Sequence, residues 1–130
     1  MTRKHENMRV WQSAMALVEA TYRVTQQFPR QEQFGLIRQM RRAAVSIPSN
    51  IAEGYGRGTE KERMRFLYIA RGSLLELETQ ALIAQRLSYP GVETISPHSE
   101  RVFAQLAALL KRFSVGDERA SGVPRPPSGV

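Results

Sequence analysis

The 130-residue sequence predicts an all-α fold of four helices. Apolar residues recur at spacings of three and four in four separate segments, and nowhere do apolar and polar residues alternate as they would in a half-buried strand. Proline, glycine and polar clusters fall mainly between those segments, where helices have to end.

The first segment, residues 9–28, places Trp11, Ala14, Met15, Val18, Tyr22 and Thr25 at helical spacing, and Phe28 closes it. Pro29 stops it, because proline lacks the N–H a helix needs and restricts the residue before it. The second, residues 35–54, carries Leu36, Ile37, Met40, Ala43, Ala44 and Ile47 and meets Pro48 inside its pattern. Either the helix ends at Ile47 and restarts with Asn50 as N-cap and Glu53 reciprocating, or it continues with a kink at Pro48. The kinked helix is favoured, and Gly54, Gly56 and Gly58 end the element either way.

The third helix, residues 60–88, opens on a capping box made by Thr59 and Glu62. Its apolar residues fall on three sides: Leu67 and Leu82 on one, Phe66 and Leu77 on another, Ile69 and Ile83 on a third. A helix apolar on most of its circumference is buried on most of it. Four helices of one short chain supply little cover for that, so self-association is expected, with Ile69, Leu77 and Ile83 as candidate interface residues. Tyr89-Pro90-Gly91 makes a turn. Ser96 as N-cap and Pro97 at the first position start the fourth helix, residues 97–113, whose seam is Val102, Phe103, Leu106, Leu109, Leu110 and Phe113. Residues 114–130 have almost nothing to bury and read as a disordered tail after a single domain at 1–113.

Function is constrained mostly by what is missing. The absence of cysteine excludes disulfides, thiol nucleophiles and Cys-ligated metal sites. The charged start leads into no apolar stretch of a secretory signal, and no run approaches the roughly 20 apolar residues that cross a bilayer. A cytoplasmic protein without membrane contact is expected. His5 and His98 have no evident second member of a metal set, and Glu76 and Glu78 sit about 200° apart around a helix. No nucleophile elbow or metal-binding helix motif occurs. The expectation is a protein that is not an enzyme and that carries no cofactor or metal.

The charge is the positive evidence. The formal net charge is +7, with 19 Lys+Arg against 12 Asp+Glu, and residues 1–58 hold +5 of it. Such a balance favours a polyanionic partner. Arg38, Arg41 and Arg42 are three and four apart and project from one side of the second helix, where they repel one another unless anions or acids cover them. Two readings follow: contact with RNA or DNA phosphates, or pairing with acids of neighbouring subunits. Arg57, in the Gly54–Gly58 connection, is a fourth candidate for an anion. Pro48, Asn50 and Glu53 are read as structural or interface residues that hold the bend.

The residues also carry a resemblance. His5-Glu6-Asn7 with Val10-Trp11, then the run Arg41-Arg42-Ala43-Ala44-Val45-Ser46-Ile47-Pro48-Ser49-Asn50-Ile51-Ala52-Glu53-Gly54-Tyr55-Gly56-Arg57, resemble the four-helix-bundle family encoded by intervening sequences of bacterial 23S ribosomal RNA genes. Phe66-Leu67-Tyr68-Ile69-Ala70-Arg71-Gly72-Ser73 and Glu76-Leu77-Glu78-Thr79-Gln80 are similar to its third helix. The resemblance covers about residues 5–113. It implies an up-and-down antiparallel bundle that assembles as a homopentamer, and no catalytic residues. A more distant similarity, to the accessory proteins of diversity-generating retroelements, implies nucleic acid and a nucleic-acid-processing protein as partners.

Overall fold

The computed structural model describes residues 3–121, with side chains as far as residue 113. Among them are four helices, α1 (Arg9–Thr25), α2 (Leu36–Tyr55), α3 (Glu60–Arg86) and α4 (Ile95–Ser121), and no strand. Short 3₁₀ turns at Lys4–Asn7, Arg30–Glu32 and Val92–Thr94 lead into or link them.

Each helix packs on two others. α1 and α3 both contact α2 and α4, while the backbones of the pairs α1/α3 and α2/α4 stay apart among the described residues. The buried positions follow the helical period. On α2 they are Met40, Ala43, Ala44, Ile47, Pro48, Ile51 and Gly54, and on α3 Leu67, Ala70, Leu74, Leu77, Gln80 and Ala84. Small residues draw α2 and α3 together. A Cβ on Gly54 would lie 3.0 Å from Cβ of Phe66 and 3.2 Å from the Arg63 carbonyl, so glycine sets that approach.

Several helix ends move from where local signals put them. α1 stops at Thr25 because the chain ahead of Pro29 tightens into i→i−3 bonds, Gln27 to Val24 and Phe28 to Thr25. α3 stops at Arg86, since Ser88 adopts a left-handed φ of 63° and bonds back to Gln85 while Tyr89 bonds to Ala84, a Schellman closure. Ser96 is not the N-cap of the fourth helix. α4 begins at Ile95, which puts Pro97 still inside the first turn, where a missing N–H costs nothing. The helix also runs past Phe113 into the stretch read as a disordered tail; Gly116 weakens a helix without ending it, and no proline follows until Pro124. The rest of that tail, 122–130, lies outside the described residues.

α2 runs unbroken through Pro48, so Asn50 is no N-cap and Glu53 closes no capping box. Ser49 Oγ donates to the Val45 carbonyl at 2.8 Å, and Asn50 Nδ2 donates to the Ser46 carbonyl at 2.8 Å and to Ser46 Oγ at 2.9 Å. These side chains add donors to the turn that the proline ring disturbs. Ser46 also shares a 2.8 Å hydrogen bond with Ser73, which ties that turn to α3. Thr59 caps α3 as expected, its Oγ1 accepting from the Glu62 amide at 3.2 Å, but no hydrogen bond from the Thr59 amide to the Glu62 side chain completes the expected capping box.

Candidate nucleic-acid and assembly surfaces

The three α2 arginines do not act as one face. Arg41 is partly buried. Its Nε donates to Thr25 Oγ1 at 2.9 Å, its Nη2 reaches the Tyr22 carbonyl at 3.4 Å, and the guanidinium lies 4.5 Å from the Tyr22 ring centre. It therefore holds α2 against the last turn of α1, where a cation also suits the negative end of the helix dipole. Arg38 and Arg42 remain exposed. With Arg41 they line a groove whose walls include Tyr22, Phe34 and Ile37 and no acidic side chain. Phe34, at 80% exposure, is the most solvent-facing large apolar residue described. Aromatic residues thus flank these arginines, Phe34 from just ahead of α2 and Tyr22 from α1.

Arg57 is engaged locally. It pairs with Glu53 four residues back on the exposed surface, and its guanidinium sits 4.9 Å from the Phe66 ring. Around it is a cluster no sequence motif announces. Arg65 also lies over Phe66, at 5.1 Å, and pairs with Glu62 at 3.5 Å. Arg63 lies over Tyr55 at 4.7 Å and near Phe113 at 5.8 Å, and Arg112 is 5.5 Å from Phe113. Tyr55 Oη and Arg63 Nε are both shut off from solvent without a hydrogen-bond partner among the described residues. Burial pushes the Tyr55 hydroxyl above the ordinary tyrosine value, against the opposing pull of Arg63 and Arg112.

The expected interface residues of α3 separate. Leu77 is fully buried in the chain's own core, so it is no interface residue, because the stripe that meets α2 and α4 passes through it. Ile69 and Ile83 face outward, together with Tyr68, Leu75, Leu82 and Leu87. At 100° per residue these form one band opposite the buried stripe, with Gly72 near its centre. Leu82, near the end of α3, and Leu87, just past it, are 58% and 51% exposed. Pro48 is buried and Asn50 half-buried.

His5 packs edge-on against Trp11, ring centres 5.3 Å apart. Among the described residues no three His, Asp or Glu side chains gather as metal ligands, and no helix is long and apolar enough to cross a membrane.

The pattern of the 23S rRNA-intervening sequence proteins matches residues 6–111, almost the whole described bundle. The chain belongs to that family. A crystal structure of a protein of unknown function from the S23 ribosomal protein family of Bacteroides thetaiotaomicron VPI-5482 is similar in fold, with a TM-score of 0.72 at 21% identity. The similarity covers 78% of this chain and 98% of that one. No curated protein matches the sequence. Within this 23S rRNA-intervening sequence protein, the matched region takes in both the arginine-lined groove and the outward band of α3.

Proposed function

We propose that this protein is a non-enzymatic, cytoplasmic up-and-down helical bundle that assembles with copies of itself through the outward side of α3. The observation that carries the reading is the band of Ile69, Leu75, Leu82, Ile83 and Leu87, all at least 40% exposed in the single chain. Exposed large apolar residues gathered on one side of a helix mark an interaction site. Each helix packs on the next in the chain and the first packs on the last, which supports the up-and-down arrangement. The resemblance noted above points to five subunits. Sedimentation equilibrium at micromolar concentration tests the proposal: the parent should sediment as a multiple of 14.7 kDa and the double variant Leu75→Arg, Leu82→Arg as the single chain. A parent at 14.7 kDa would refute it.

A second reading, binding of RNA or DNA backbone, is favoured by the groove at Arg38, Arg41 and Arg42. Three arginines, two aromatic rings and no acid line it, and guanidiniums match phosphate oxygens. The family description, tied to 23S rRNA, supports RNA as the first ligand to try. Arg38→Glu with Arg42→Glu should weaken binding of a single-stranded RNA in an anisotropy titration and flatten its salt dependence. No binding by the parent at low salt would end this reading.

A further inference from the structure

We propose that the end of the bundle, where the α2–α3 connection meets α4, is a second and separate binding site for single-stranded RNA, with Arg63 and Arg112 holding its phosphates. This rests on the nucleic-acid reading above and adds a place that the α2 arginines do not reach.

Four guanidiniums are gathered there on three rings. Arg57 and Arg65 lie over Phe66, Arg63 over Tyr55 and beside Phe113, and Arg112 beside Phe113. Arg57 and Arg65 have Glu53 and Glu62 for company, but both pairs are exposed, spaced at i,i+4 and i,i+3, and readily exchanged for another anion. Arg63 and Arg112 have no acid partner among the described residues. Like charges so close repel one another, and ring faces offset that only in part. Phosphodiester oxygens set between them would relieve it.

Arg63 adds a sharper sign. Its Nε is buried with nothing to donate to, beside an equally unpartnered Tyr55 hydroxyl. Buried donors in folded proteins are almost always satisfied, and those that are not call for an explanation such as a ligand. The guanidinium rests on rings with no hydrogen bond at Nε to anchor it, so a phosphate can draw it outward. A guanidinium on an aromatic face keeps its in-plane donors for oxygens, and bases stack on such planes, which favours a single strand over a duplex.

The test is fluorescence anisotropy with a labelled oligouridine of about 20 nucleotides, titrated at low and moderate salt. Arg112→Gln, at an exposed position, should weaken binding several-fold and lower the salt slope by about 0.7, one single-strand contact. Circular dichroism checks that the variant is folded. Should it not be, Arg63→Lys, which keeps charge and loses the fork, is read in its place and should still weaken binding several-fold. If the bundle-end variants bind as the parent does while Arg38→Glu with Arg42→Glu loses affinity, this site is wrong and the nucleic-acid reading stands. If the parent itself does not bind, both fall.

Discussion

The Tyr89 hydroxyl donates to Glu32 Oε2 at 2.7 Å across 57 residues of chain. The other oxygen of Glu32 accepts the Leu36 amide at 3.3 Å, at the uncapped start of α2, and the Tyr89 ring packs against Phe28, centres 5.1 Å apart. One carboxylate and one phenol thus join the end of α1, the start of α2 and the α3–α4 connection. The hydrogen bond to Glu32, then burial, then the Glu32 charge hold the Tyr89 hydroxyl above the usual tyrosine value of 10.0. A tyrosine whose folded value is raised contributes stability that is present below the unfolded value and lost as pH climbs through the folded one. Tyr89→Phe should therefore melt below the parent at pH 8, and the two melting curves should converge above pH 10. A gap that persists at high pH would assign the effect to packing alone.

Arg41 is the arginine the fold needs. Arg41→Ala removes a charged hydrogen bond to Thr25, a contact to the Tyr22 carbonyl and the stack on Tyr22, and should cost about 1.5–3 kcal/mol in urea unfolding. Arg41→Lys should recover little, because lysine cannot reach both partners in one plane. Arg38→Ala and Arg42→Ala should stay within about 0.5 kcal/mol of the parent. Equal losses at all three positions would contradict the division of labour described for α2.

Ser88 is the single non-glycine residue with positive φ among those described, and it occupies the position where a Schellman closure favours glycine. Ser88→Gly should raise stability by about 0.5–1 kcal/mol, read from the urea midpoint at unchanged slope. Ser88→Val should lower it, because a β-branched side chain resists the left-handed region.

Gly72 stands exposed in the middle of α3, and a Cβ there would meet nothing within 4 Å in the single chain. In a chain kept monomeric by Leu75→Arg and Leu82→Arg, Gly72→Ala should stabilise by about 0.5–1 kcal/mol, the usual helix preference. In the parent the same alanine should weaken association if a neighbouring helix seats at that flat point. Sedimentation of Gly72→Leu, with a bulkier intrusion, gives the larger effect.

How far each feature was legible depends on the distance between its partners in the chain. Thr59 and Glu62 are three residues apart, so the start of α3 is written in a tetrapeptide. Pro29 and the turn at Tyr89-Pro90-Gly91 act on their immediate neighbours and are equally plain. Arg41 and Thr25 are 16 residues apart, and nothing in the Arg38, Arg41, Arg42 spacing says which of the three will find a partner on another helix. The bundle-end cluster is harder still. Tyr55, Arg63 and Phe113 belong to three helices, and the dipeptides Arg65-Phe66 and Arg112-Phe113 are its faint local trace.

The sequence by itself determined that there are four helices, roughly where each begins and where the first three end, and that thiol chemistry is closed to this protein. Those features rest on contacts within one helical turn, or on residues that are present or absent. Only the tertiary structure decided which side of α3 is core, putting Leu77 inside and Ile69 and Ile83 outside, and which arginines are already committed. The physical reason is the same for both. A helix apolar on three sides, or an arginine among equals, is neutral about its partners until neighbouring helices bury one choice and leave the others to solvent.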